Sequence, residues 1–218
     1  MKLSDDAAPR AGEPPPASTS GRCLLLLSPT GAGIHSVVRR IRELGLAPVE
    51  LCVRDSTRPL QPWDNGTLRT VTLQEFHRRL NGHEYLEVIA DGSGTYFGTR
   101  KTAVKEMLLK GVIPVLRGIP GTKDELRRWF GTEAPGTTPT TVFMTTDPAD
   151  VWERVVEGRG YDVEGRLQTS RYMLQRLGLT DGAPPDAAIL RHTGIDHVVL
   201  NRWNDLDGTA RAIAALLR

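Results

Sequence analysis

Leu24, Leu25, Leu26 and Leu27 run without a break into Ser28-Pro29-Thr30-Gly31-Ala32-Gly33 and then Ile34-His35-Ser36. An unbroken apolar run of this kind suits a strand covered on both faces. Gly31 and Gly33 permit positive φ and close backbone approach. Beyond them Val37, Val38, Ile41 and Leu44 recur at helical spacing, with Arg39, Arg40 and Arg42 between. That pattern predicts an amphipathic helix. A strand that feeds a helix through such a loop aims several N–H groups and the helix dipole at one point, which suits phosphate.

The phosphate-loop pattern G-x-x-x-x-G-K-[ST], laid over positions 28 to 35, keeps Gly33. It has Ser28 at the first glycine, Ile34 at the lysine and His35 at the magnesium-binding hydroxyl. Ile34 brings no charge to transferring phosphoryl oxygens, and His35 has no hydroxyl for a metal. Ser36 reaches a metal only if the helix begins one residue later. By itself the stretch suits a tight, ligand-free turn as well as a phosphate cradle. His35 stands where the helix dipole favours neutral imidazole; it reads either as an exposed first-turn residue or as a ligand contact.

At 218 residues the chain has ample material for one globular domain. A formal net charge of +2 does not mark a general nucleic-acid or membrane binder. Of 28 basic residues the lysines are only Lys2, Lys101, Lys105, Lys110 and Lys123. Guanidinium forks suit phosphate, although biased genome composition gives the same excess of arginine. Cys23 and Cys52 lie beside apolar runs and read as reduced core residues rather than a disulfide or metal site. The other histidines, His77, His83, His192 and His197, lack ligand spacing, so no metal site is expected. No apolar run approaches the ~20 residues of a membrane span, and the N-terminus lacks a signal-peptide core. A soluble cytoplasmic protein is expected.

Residues 1–21 are rich in Pro, Ala, Ser and Gly and read as a disordered tail. Residues 22–218 then form one domain. The first helix runs to about Leu44, with Gly45 ending it, and Val49 to Val53 is a second strand. Arg54 to Gly66 reads as irregular, and Leu68 to Val71 as a short strand. Thr72, with Glu75 three residues on, predicts a capping box for a helix to about Leu80. Tyr85 to Ile89 reads as strand, Gly92 to Thr95 as a turn, and Thr99 to Leu109 as helix. Val112 to Leu116 is apolar, but Pro114 within it argues against a central strand.

Further on, Asp124 to Phe130 is predicted helical and Thr141 to Met144 extended. Asp147 caps a helix to about Val156, with Pro148 at its first position. Gly165 to Leu177 is a further helix, His197 to Leu200 a strand, and Asp205 to Leu217 a closing helix. Strands alternating with helices predict an α/β domain with a parallel sheet.

The order of landmarks resembles the guanylate kinase family of nucleoside-monophosphate kinases, from about Arg22 to Arg218. Ser28-Pro29-Thr30-Gly31-Ala32-Gly33 is similar to that family's Gly-Pro-Ser-Gly-x-Gly loop. Arg58-Pro59 resembles the end of its Arg-x-x-Arg-Pro segment. Tyr85-Leu86-Glu87 is similar to its Phe-Leu-Glu, and Tyr96-Phe97-Gly98-Thr99 to its Tyr-Tyr-Gly-Thr. Arg154, Glu157-Gly158-Arg159-Gly160 and Arg166-Leu167 resemble its lid, and Val198-Val199-Leu200-Asn201 its Val-Ile-Val-Asn. The resemblance implies a P-loop NTPase-like parallel sheet flanked by helices. It also implies a small substrate-binding insertion at about residues 54–96 and a short lid at about 158–167.

What the resemblance implies for the site follows residue by residue. The phosphate loop is Ser28, Thr30, Gly31, Ala32, Gly33, Ile34, His35 and Ser36, and the catalytic clamp on the polyphosphate is Arg154, Arg159 and Arg166. Arg58, Glu87, Phe97 and Thr99 are substrate-binding positions, and Asn201 a nucleotide-base position. Asp55 stands where the family has a second phosphate-binding arginine, with Arg54 one residue away. Leu116-Arg117-Gly118 stands where the family has an acidic strand end. A site that has lost acceptors and gained a fixed cation argues against GMP. It suits an anionic ligand held by Arg58, Arg117 and Arg100.

Two readings follow. In one, the chain is an atypical phosphotransferase that uses ATP and Mg2+ on a nucleotide or other small phosphorylated acceptor, with arginines in place of the loop lysine. In the other it is a catalytically inactive pseudokinase, a ligand- or protein-binding module. Neither implies a nucleic-acid or membrane partner, and a homodimer stays open.

Overall fold

The computed structural model describes residues 21–29, 31–61, 64, 66–90, 94–119, 121–146, 194–202 and 204–218. The leucine run lies in β1 (Arg22–Leu27), the middle of a five-stranded sheet with β2 (Val49–Leu51), β7 (Ile113–Arg117), β8 (Thr138–Thr145) and β9 (His197–Leu200). The order is β2-β7-β1-β8-β9, and every described pairing in it is parallel.

Because side chains alternate along a strand, β1 supplies two cores. Cys23, Leu25 and Leu27 pack with Val104 of α3 (Lys101–Leu109) and with Leu126, Trp129 and Phe130 of α4 (Thr122–Glu133). Leu24 and Leu26 pack on the other face with Val37, Val38 and Ile41 of α1 (Ile34–Glu43), and with Ala210, Ile213 and Ala214 of α5 (Leu206–Ala215). Each fully buried leucine is worth about 1.5–3 kcal/mol relative to exposure. α1 is tied to α5 by the two-bond fork from Arg40 to Asp207, at 2.6 and 3.0 Å. On the opposite face Lys123 Nζ meets Asp196 at 2.6 Å, and that carboxylate also accepts the Thr141 N–H.

A second, four-stranded sheet lies between β2 and α3 in the chain. It comprises β3 (Arg54–Ser56), β4 (Leu68–Thr70), β5 (Tyr85–Ala90) and β6 (Tyr96–Arg100), in the order β4-β3-β6-β5. Its one described helix, α2 (Leu73–Asn81), starts where the sequence placed it. The Thr72 hydroxyl accepts the Glu75 N–H at 3.1 Å. The return half of the capping box does not form, because the Glu75 carboxylate is taken by Arg78 and Arg79.

Three expectations are corrected. The polar segment after Val53 is not wholly irregular: Arg54–Ser56 is a strand, paired parallel to β4 and antiparallel to β6. Thr99 belongs to strand β6 rather than to the following helix, where its neighbours in β3 and β5 hold it. Pro114 does sit in a strand between two others. β7 pairs with β1 only from Val115 onward, while Ile113 N–H and Val115 C=O bond toward β2. The missing Pro114 N–H therefore faces a side where the ladder has not yet begun. The predicted helices around Asp147–Val156 and Gly165–Leu177 lie outside the described residues, as do all of the 1–21 tail but Gly21 and the first two residues of the Gly92–Thr95 turn.

Candidate functional site

The loop after β1 closes as its composition predicts. Gly31 and Gly33 both have φ of 86°, and Gly33 is the left-handed N-cap of α1, with no side chain capping that end. Ala32 is buried beneath the loop, and its carbonyl accepts the Asn201 amide at 2.7 Å. Asn201, the nucleotide-base candidate, thus reaches the loop from the end of β9. Ile34, at the lysine position, is half-buried and packs on the apolar cluster under α1. Thr30 lies outside the described residues.

His35 and Arg117 come together across this loop. Arg117 Nη1 lies 3.2 Å from His35 Nε2. A guanidinium only donates, so Nε2 is the acceptor and the ring proton sits on Nδ1. Burial first, and then the charge of Arg117, push the His35 pKa down to about 4, so the ring is neutral at pH 7. Arg117 Nη2 donates to the Thr67 carbonyl at 3.2 Å. Burial, followed by repulsion from Arg54, pushes the Arg117 pKa down to about 9. It remains a cation at neutral pH.

The Thr67 carbonyl also accepts the Arg54 backbone N–H, which joins this corner to the second sheet. Arg54 is 8 % exposed and Glu87 3 %. One Glu87 oxygen, Oε1, takes both Arg54 Nε at 3.1 Å and the Thr99 hydroxyl at 2.6 Å. The Arg54 Nη2, Glu87 Oε2 and Arg117 Nε atoms are buried without a hydrogen-bond partner among the described residues. Such atoms are costly to leave unpaired. Arg54, Arg117 and Glu87 lie close enough for their charges to act on one another. The corner therefore holds two unspent donors and one unspent acceptor.

Arg58, expected to bind phosphate, forks onto Asp64 at 2.6 and 3.0 Å, and its guanidinium carbon lies 5.9 Å from the Phe97 ring centroid. Burial alone would raise the Asp64 pKa, but the Arg58 bonds and the Gln61 N–H outweigh it and the net shift is downward. Asp64 thus stays ionised and pre-sets the guanidinium. Asp55, at the second arginine position, is a structural hub. It is 1 % exposed and accepts from Arg69, Arg79 and, at 2.9 Å, the Tyr85 hydroxyl. Gly98 is required beside it, since a Cβ there would meet the Tyr85 ring at 2.8 Å.

The structure thus gathers His35, Arg117, Arg54, Glu87 and Thr99 at one corner beside the loop that opens α1, with Arg58 and Phe97 together beside Asp64. Ser36 is exposed in the first turn of α1. Arg100 is the last residue of β6, directly before α3. The lid candidates Arg154, Arg159 and Arg166 lie outside the described residues. Sequence reasoning missed Asp64 and Thr67, and it placed Arg54 only beside the second arginine position, without its bond to Glu87. A carboxylate six positions after Arg58 was the one local signal for Asp64. Both cysteines are buried free thiols as expected, with burial pushing the Cys52 pKa up to about 12. Among the described residues no group of His, Cys, Asp or Glu is arranged to hold a metal ion, and no helix is long and apolar enough to cross a membrane.

No protein-family model matches the chain. Its sequence is 27% identical over 165 residues to a guanylate kinase of Rhodopirellula baltica, covering 72% of this chain and 76% of that protein. Among solved structures, guanylate kinase from Anaplasma phagocytophilum aligns with a TM-score of 0.57 at 18% identity, over 91% of this chain and 85% of that one. An uncharacterized protein from Eubacterium ventriosum reaches a TM-score of only 0.43 at 14% identity, over 91% of this chain and 98% of that one, too loose for any inference. In sequence and in fold the chain is thus similar to guanylate kinases.

Proposed function

We propose that the cleft binds a small phosphate-bearing anion, a nucleotide other than GMP or another phosphorylated metabolite. The observation that carries this reading is the cluster of inward-turned guanidinium groups with unspent donors, Arg117 Nε and Arg54 Nη2, at the loop that opens α1. An anion supplies the acceptors that these donors lack, and charge-assisted bonds of this kind are the strong ones. Glu87 does not face the cleft as a free carboxylate. It is half neutralised by Arg54, so a donor edge that needs both its oxygens is poorly served. That argues against GMP. Thermal shift of the full chain across GMP, other nucleotides and small phosphate esters tests the reading. Stabilisation by anions other than GMP is expected, and selective stabilisation by GMP overturns it.

A second reading, phosphoryl transfer from ATP to such an acceptor, is favoured by the glycine cap that the loop keeps. The left-handed Gly33 cap and an uncapped helix N-terminus are the parts a transferring phosphate uses. Arg154, Arg159 and Arg166 would supply the charge that Ile34 does not. Magnesium, which the fold family implies, does not fit the corner as built: His35 and Arg117 stand at the hydroxyl and acid positions, and Asp64 is spent on Arg58. Release of ADP on adding ATP to a panel of phosphorylated acceptors, lost in Arg159→Ala, supports transfer. Binding without turnover assigns the protein to the binding reading.

A further inference from the structure

Resting on the reading of the cleft as a phosphate site, we propose that Arg117, seated on His35, takes the place of magnesium, so that the cleft binds its phosphate ligand as the metal-free anion. In the phosphate-loop pattern the residue after the lysine presents a hydroxyl to the metal, and an aspartate on a neighbouring strand completes the cation site. Here those positions are His35 and Arg117, bonded to each other at 3.2 Å. The Nε2 lone pair of His35 is spent on the guanidinium, and Nδ1 carries the ring proton. The ring therefore offers a metal no free nitrogen. Arg117 itself excludes a second cation from the space its charge occupies.

The corner is also short of acceptors, not of donors. Arg117 Nε and Arg54 Nη2 are buried without partners, and Arg54 is more than nine-tenths buried. The acidic groups nearby do not restore a metal site. Both oxygens of Asp64 are held by Arg58, and Glu87 Oε1 is held by Arg54 and Thr99, leaving the single oxygen Oε2. A planar fork with fixed donors, cationic at neutral pH, neutralises phosphate oxygens as a metal would, without needing carboxylates to anchor it. Chemically the ligand is a pyrophosphate or phosphomonoester group that arrives without a bound divalent cation.

Isothermal titration of the full chain with inorganic pyrophosphate and with ATP, in EDTA and in excess magnesium, tests this. Binding is expected in EDTA, and magnesium is expected to weaken it by about threefold or more, because the metal sequesters the free anion. Arg117→Gln is expected to weaken binding in EDTA by about tenfold or more. The double variant His35→Ser with Arg117→Asp rebuilds the hydroxyl and acid positions, and its binding is expected to require magnesium. Binding by the unaltered protein that occurs only with magnesium overturns this inference and leaves the phosphate-site reading standing. No binding of either anion in either condition, with no stabilisation by any phosphate ester, removes both. The unaltered protein decides the matter even if a variant does not fold.

Discussion

Two charged clusters stand within one small sheet and its edge, and they are solved in opposite ways. Around Asp55 every acidic oxygen is taken: Arg69, Arg79 and the Tyr85 hydroxyl converge on a carboxylate that is 1 % exposed. Around Glu87 the same residue types leave Arg54 Nη2, Glu87 Oε2 and Arg117 Nε unpaired. A buried network with all its bonds made rigidifies a fold, whereas unspent groups are a standing cost. The first cluster holds the second sheet together. The second leaves bonds that, on the proposed reading, an incoming anion completes.

That contrast is broken most directly at Asp55. Removing the carboxylate in Asp55→Ala takes the acceptor from Arg69 and the buried Tyr85 hydroxyl and leaves Arg79 only Glu75, and chemical denaturation should show a loss of about 2–3 kcal/mol. Adding pyrophosphate should not restore it. A smaller loss there would mean that the hub is ornamental and that the two clusters do not differ in kind.

The next largest effect is carried by pH. Burial and Arg117 lower the folded pKa of His35 to about 4, against an ordinary 6.5. Between those values the unfolded chain binds the additional proton, so the stability is whole above 6.5 and drains as pH falls through the folded value. Thermal melts at pH 7.5 and pH 5 should differ by about 1–2 kcal/mol from this group, and His35→Asn should flatten the difference. An unchanged slope in the variant would place the sensitivity elsewhere.

A milder change sharpens the comparison at Glu87. Thr99→Val deletes the hydroxyl that donates to Oε1 at 2.6 Å. A loss of about 1 kcal/mol in the denaturation midpoint is expected. The smallest effect should come from Arg117→Met. Its charge is opposed by burial and by Arg54, so stability should move by less than about 1 kcal/mol in either direction, while pyrophosphate affinity falls. A large loss of stability would make Arg117 a structural residue and close the gap between the clusters.

The central strand, both faces of the core, the left-handed Gly33 cap and the Thr72 cap were legible because each depends on neighbours within a few positions. Leu24 to Leu27 must be covered wherever they go, and Thr72 meets Glu75 inside one turn. β3 and β6 were not legible as strands. Arg54-Asp55-Ser56 has no apolar alternation, and it is extended only because β4 and β6 supply its ladder and buried partners supply its charges. Pro114 misled for the same reason, since its cost depends on which side of β7 the adjacent ladder begins.

By itself the amino-acid sequence determined that this chain builds a covered strand, a glycine-rich loop and a helix, and that the loop lacks its lysine and its hydroxyl. Those are matters of side-chain size, periodicity and allowed φ. Only the tertiary structure decided which charges meet. Arg117 lies 82 positions from His35, and Glu87 lies 33 from Arg54. Ion-pair partners are chosen by distance in space and by burial, and neither quantity is written locally in the chain.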